Sequence, residues 1–221
     1  MMSRASNLIK SIHPPRASSN AMAFAVHQRG ASLLIVMLIL IVVSILGVGG
    51  AQIALMGERS ARNDRDYQVA WQSAEAALLE AEFDIRGPNL NASSRQNSAF
   101  SSPNPTKYLF QQDCGGASSG VSKGLCLTAT SGKPVWLTAN FTSSDSPTTE
   151  FGDFTGRAFD AGGSGIKPAK KPRYLVELVE DTDAFSDLSI GSKKYLYRVT
   201  AMGFGPREDI QAVVQMVFRK E

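Results

Sequence analysis

Histidine is nearly absent from this chain. His13 and His27 are the only two among 221 residues, and both precede a long apolar segment. From residue 28 onward there is no imidazole, so that part cannot assemble a Ser-His-Asp triad, a Cys-His pair or a histidine-ligated metal. Cysteine is equally scarce: Cys114 and Cys126 are the two, too few for an ordinary zinc site. No glycine-rich phosphate loop of the required spacing occurs. Together these absences argue against an enzyme. Negative charge is missing from the first 57 positions, and no charge of either sign lies between Arg29 and Glu58.

What is present begins with that uncharged run. Residues 30–57 exceed the roughly 20 apolar residues that cross a bilayer. Arg4, Lys10, Arg16 and Arg29 all precede the run, which keeps the leader cytoplasmic and places the chain beyond Glu58 outside. Without those four cations, 19 basic residues face 20 acidic ones. The pI near 8.9 therefore belongs to the leader and gives no reason to expect nucleic-acid binding. In an oxidising compartment Cys114 and Cys126, set in a Gly/Ser-rich loop, are expected to pair. Closing a loop of that size contributes roughly 3 kcal/mol in the chain-entropy description.

The leader is unlike a secretory signal, which is cut after its apolar segment. Here His27-Gln28-Arg29-Gly30 runs straight into that segment. An uncleaved anchor is one reading, and cleavage ahead of the apolar run is the other. Met22 offers a second start, with a short leader of residues 22–30.

From Ala31 a helix is expected to run to about Ile85 and to stop at Gly87-Pro88, because proline lacks the N–H and restricts its predecessor. At 1.5 Å per residue this is about 80 Å. In residues 58–86 Tyr67, Ala70, Trp71, Ala74, Ala77, Leu78, Ala81 and Ile85 recur at helical steps and predict one apolar stripe. Arg62, Arg65, Glu75, Glu80, Glu82 and Asp84 are expected on the solvated remainder. Gly47, Gly49 and Gly50 interrupt the apolar half, each at about 1 kcal/mol relative to alanine. Close helix packing explains them; so does a segment able to unwind.

Residues 87–172 read as a loop-rich connection, with residues 133–139 as the one strand. Three further strands are predicted at residues 173–180, 194–202 and 210–218, forming an antiparallel meander whose apolar face lies on the helix. Other features are weak. The carboxylates Glu180, Asp181, Asp183 and Asp187 lack the spacing of a calcium loop. Residues 161–165 are expected to be a glycine-rich loop, and the basic residues 167–173 a surface lead-in to a strand.

Three stretches together resemble the PilX family of type IV pilus minor pilins. One is Gln28-Arg29-Gly30 followed by Leu33, Leu34 and the aliphatic run. The second is Glu58-Arg59, Arg62-Asn63, Arg65-Asp66, then Ala70, Ala74-Glu75-Ala76-Ala77-Leu78 and Ala81-Glu82. The third is Tyr197-Arg198-Val199-Thr200-Ala201 with Gly203 and Gly205, then a last strand from Gln211. Residues 87–170 carry almost none of the resemblance.

The resemblance implies an α+β pilin fold, with a long N-terminal helix on an antiparallel sheet of about three to four strands. It implies a leader of residues 1–30 cut between Gly30 and Ala31 by a prepilin peptidase, and N-methylation of Ala31. The implied partners are other minor pilins, the major pilin, the inner-membrane assembly platform and a PilY-type tip adhesin, with no cofactor, metal or nucleic acid. The implied location is a single pass through the bacterial inner membrane with a periplasmic head, then the pilus fibre or tip. Ile35 departs from most pilins, which carry glutamate at that fifth position after the cut; Ala31 departs from the usual phenylalanine. A minor pseudopilin of type II secretion, or a membrane-anchored periplasmic binding domain, are the alternative readings.

Overall fold

The computed structural model describes residues 31–89, 91–101, 104–116, 120–143, 145–160, 163–181 and 194–220. The leader, residues 161–162 and the carboxylates Asp183 and Asp187 lie outside the described residues. Helix α1 spans Ala31–Arg86, within a residue of its expected end. The chain divides into two compact units, one up to Ile53 and one from Ala54.

In the first unit the described residues are helix alone, and the large aliphatic side chains from Leu33 to Ile53 are exposed. Among the described residues this is the one helix long and apolar enough to cross a membrane.

The second unit holds the rest of α1, a short helix α2 at Val135–Thr138 and five strands: β1 Leu125–Leu127, β2 Thr149–Glu150, β3 Arg173–Glu180, β4 Tyr195–Phe204 and β5 Gln211–Phe218. Their order is β1-β3-β4-β5, with β2 also paired to β3. The β3-β4-β5 meander matches the expected segments to within two residues, in a register that sets Tyr174 opposite Ala201 and Val199 opposite Met216. The sheet departs from expectation in being mixed, because β1 runs parallel to β3. The chain between these strands is long enough for the crossover that parallel pairing needs. Strands of three and two residues leave no readable alternation in the sequence.

Within residues 133–139, Val135–Thr138 form a helical turn rather than a strand. Val135, Trp136 and Ala139 all pack on one small cluster, and that i, i+1, i+4 pattern belongs to a helix.

The end of α1 has a local cause. Gly87 adopts φ +77°, its N–H donates to the Phe83 carbonyl at 2.8 Å, and Gln96 Nε2 donates to the Arg86 carbonyl at 2.6 Å. A positive-φ glycine just past the last turn is the standard helix terminator.

Helix and sheet meet through small residues. Ala70, Ala74, Ala77 and Ala81 are fully buried, and a Cβ on Gly203 of β4 would stand 2.2 Å from both the Ala70 carbonyl and the Ala74 nitrogen. The main core joins Ala77, Ala81 and Ile85 to Tyr174, Val176, Leu178, Tyr197 and Val199, with Phe100, Phe110 and Leu125 from the loop-rich region. Tyr67 and Trp71 do not join that face. They remain 48% and 42% exposed: Tyr67 precedes Ala70, the first fully buried position of the stripe, and Trp71 lies about 100° round the helix from Ala70.

The pleat of β1 divides its side chains. Leu125 and Leu127 face the main core, whereas Cys126 points to the opposite side of the sheet. There it forms a disulfide with Cys114, Cα–Cα 4.2 Å, and both sulfurs pack with Phe141 and Leu175 in a second, smaller core.

Candidate functional site

The assembly residues expected from sequence lie along α1. Ile35 is exposed among other aliphatic side chains, and the helix continues unbroken through Gly47, Gly49 and Gly50. A Cβ built on any of these three glycines meets nothing within 4 Å. Their smallness therefore answers no contact made by the described residues.

In the second unit α1 presents two different faces. Outward, Tyr67 and Trp71 form a tilted ring pair with centroids 6.4 Å apart, and Trp71 Nε1 donates to Glu75 at 2.7 Å. Leu79 and Phe83 are also exposed, further round the helix. The guanidinium of Arg157 lies 4.2 Å from the centre of the Phe83 ring, so a cation covers that ring.

Inward, the face holds two carboxylates that the sequence reading placed in solvent. Glu80 and Asp84 are both fully buried, one helical turn apart. Their burial is legible in retrospect. Positions 73, 77, 80 and 84 continue the i, i+4, i+7 rhythm of the alanine stripe.

Asp84 is held by Arg95, which is itself fully buried. Arg95 Nε donates to both carboxylate oxygens at 3.1 and 2.9 Å, and its Nη2 donates to Oδ2 at 2.6 Å. The Tyr174 hydroxyl donates to the same Oδ2 at 2.8 Å. Arg95 Nη1 then donates to the carbonyls of Val121 at 3.0 Å and Lys123 at 2.6 Å, and Nη2 reaches Thr149 Oγ1 at 3.3 Å. The guanidinium stacks 3.7 Å from the centre of the Phe154 ring. One side chain thus ties α1 to the disulfide loop and to β2. Such a charge is tolerable in the interior because its donors are used and its ion pair is bidentate. Burial and the adjacent Asp84 charge push the Tyr174 hydroxyl well above its ordinary pKa of 10.0, so it stays protonated and donating.

Glu80 anchors a second loop. Its Oε1 accepts from the Gly152 N–H at 3.0 Å and from the Thr155 hydroxyl, and its Oε2 accepts from Arg157 Nη1 at 3.2 Å. Desolvation raises its pKa above 4.5; Thr155, Gly152 and Arg157 pull it back, and the Asp84 charge adds to the rise. Both carboxylates are fully buried among these partners. Their chemistry is structural: they fasten a loop-rich region with little regular structure to a rigid helix.

Several of the remaining described candidates are held in ion pairs. Asp181 pairs with Arg219 at 2.5 Å. Lys170 pairs with Glu208 at 2.8 Å, and Lys171 and Arg173 both reach Glu150, at 3.3 and 3.0 Å. The basic lead-in to β3 is therefore largely neutralised. Arg95, Thr155 and Arg157 were missed, since each pairs across a long stretch of chain and local periodicity carries no such signal.

Two family models match. One, described as "Type IV pilus assembly protein PilX C-term", covers residues 122–220. The other, described as "PilX N-terminal", covers residues 29–79. No curated protein and no solved structure matches the chain. The two matches take in the apolar half of α1, most of its amphipathic half and the whole sheet, and the chain belongs to the PilX family of type IV pilus minor pilins.

Proposed function

We propose that this minor pilin helps to start pilus assembly and sits in a complex at the pilus tip. Residues 1–30 act as the leader, removed between Gly30 and Ala31, and Ala31 is methylated on its new amine. Residues 31–57 cross the inner membrane before assembly and pack into the fibre afterwards. Residues 58–86, the loop-rich residues 87–172 and the sheet residues 173–221 form the periplasmic head.

The observation that carries the tip reading is Ile35. It stands in a helix whose first charged residue is Glu58. An unpaired charge in a bilayer is costly, so a carboxylate there is worthwhile only with a cationic partner. In pilins that partner is the terminal amine of a neighbouring subunit. A subunit at the end of the fibre has no such neighbour on one side and does better with isoleucine. The three glycines fit a helix that loosens as it passes from lipid to fibre, because each weakens it locally.

A clean deletion tests the reading. Surface pili should be lost or strongly reduced, while processing of the major prepilin continues. Normal pilus number would count against it. Blocked enzyme export with normal pili would point instead to a pseudopilus.

A further inference from the structure

Within the second unit, helix α1 carries another periodicity on the side turned away from the sheet. Val69, Gln72, Ala76, Leu79 and Phe83 follow one another at alternating steps of three and four residues, the a and d positions of a heptad. They lie about 150° round the helix from the buried alanines. Leu79 and Phe83 are 58% and 38% exposed, Gln72 is exposed, and Val69 and Ala76 are half-buried. A largely apolar seam in this rhythm is the surface that one helix offers to another in a coiled coil.

The receiving half of such a contact is already shaped. In a parallel pair a d-position side chain enters a hole made by four residues of the facing helix: the preceding a, the d, the e and the next a. For position 72 these are Val69, Gln72, Ser73 and Ala76. The same four residues form the helix wall of a cavity of about 200 Å³, bounded on its far side by Phe159 and Ile166. Ser73 is 3% exposed, and its hydroxyl has no hydrogen-bond partner among the described residues. A buried hydroxyl left unpaired is costly, so the hole lacks one polar group.

We infer that a second copy of this chain packs here, the two α1 helices side by side and parallel, with Gln72 of each copy seated in the hole of the other. A glutamine amide offers both donor and acceptor, so across a two-fold axis it serves Ser73 Oγ and its own counterpart. A polar residue at one seam position fixes the register. The charges select the direction. In a parallel coil position g of one helix faces the following e of the other, whereas in an antiparallel coil g faces g. Glu75 stands at g. It is exposed, accepts from the neutral Trp71 Nε1, and forms no ion pair among the described residues. The e position it would face is Glu80, which is capped by Arg157; that guanidinium is 46% exposed and uses Nη1 alone on Glu80. Parallel packing therefore brings Glu75 to a cation, and antiparallel packing brings it to another Glu75. Because the sheet already holds the helix in shape, pairing has no helix to order, and a short seam suffices.

The test uses the full chain in isolated membranes. Cys114 and Cys126 are bonded to each other, so an introduced cysteine supplies the one free thiol. Ala76→Cys and Leu79→Cys each place a thiol that faces itself across a parallel seam, and a mild oxidant should join both variants into disulfide-linked homodimers. Trp71→Cys, on another flank of the helix, should stay monomeric. Adding Gln72→Glu to the Leu79→Cys variant sets two carboxylates in one buried layer and should lower the dimer yield about tenfold or more. Glu75→Lys should lower it by less. Gln72 and Glu75 are both exposed, so the head keeps its fold, which the intact Cys114–Cys126 bond verifies. None of these readings depends on leader removal or on pilus number. The inference is overturned by the absence of dimers, by dimers from only one of positions 76 and 79, by equal dimers from position 71, by adducts with a different protein, or by a yield that Gln72→Glu leaves unchanged.

Discussion

The two halves of α1 follow opposite plans within one helix. Up to Ile53 most side chains are large exposed aliphatics, interrupted by Ser44, Ala51, Gln52 and three glycines that touch nothing. Beyond Ala54 the inward face is alanine at full burial, with two buried carboxylates set into it. The first half is made for an apolar solvent, where side chains need only be uncharged. The second is made for one particular partner, where alanine lets the strands come close and Glu80 and Asp84 hold the loops. On the function proposed above, a uniform surface exchanges lipid for neighbouring subunits, and a specific one keeps the head as a single folded piece through that exchange.

Breaking the specific half should cost the most. Arg95→Ala leaves Asp84 buried without its cation and frees the Val121 and Lys123 carbonyls. Removing one partner of a buried pair destabilises by about 3–5 kcal/mol. Denaturant unfolding of the full chain in detergent, followed by the fluorescence of its two tryptophans, measures this. A loss below about 1 kcal/mol would mean that the hub is not an anchor.

Removing the disulfide comes next. Cys114→Ser with Cys126→Ser should cost roughly 3 kcal/mol. Arg95 holds the same loop through two carbonyls, so the loss measured in an Arg95→Ala background should be smaller than in the parent. Simple additivity would separate the two staples.

Gly203→Ala probes the closeness of helix and sheet. The new methyl would stand 2.2 Å from backbone atoms of α1, so the strand must move outward, at about 1–3 kcal/mol. Gly49→Ala in the first half meets nothing and should leave the head's unfolding unchanged. Melting both variants side by side tests the contrast within one helix.

The smallest effect is that of pH. The raised pKa of Glu80 means that the folded chain holds this proton more tightly than the unfolded chain does. Its contribution to stability is complete below the ordinary value of 4.5 and is lost as pH rises through the folded value. Glu80→Gln should remove that component, giving a stability profile that declines less from mildly acid to neutral pH. An unchanged profile would show that Glu80 does not titrate in that range.

The regular parts of this fold are plain in the sequence because their signals are local and repeated. An uncharged run, an alanine stripe ending at Gly87-Pro88 and three alternating segments fix α1, β3, β4 and β5 to within two residues. Strands β1 and β2 are too short to alternate, and Val135 to Thr138 imitates a strand because three of its four residues are β-branched or aromatic. The hub fails to show for a different reason. Arg95 finds Asp84 at a separation of 11 and Thr149 at 54, and no spacing rule joins such positions. Tyr67 and Trp71 teach the converse: a match to helical steps places residues near a face, yet Tyr67 stays exposed at the same helical angle at which Ile85 is buried.

The claim on which the functional account turns is that the chain is cut ahead of its apolar helix and carries that helix intact into fibres. Sequencing the N-terminus of the protein from sheared surface fibres, with the mass of its first residue, tests this directly. The account predicts Ala31 as the first residue, carrying one methyl group. A protein that keeps residues 1–30 and never occurs in the fibre fraction would contradict it.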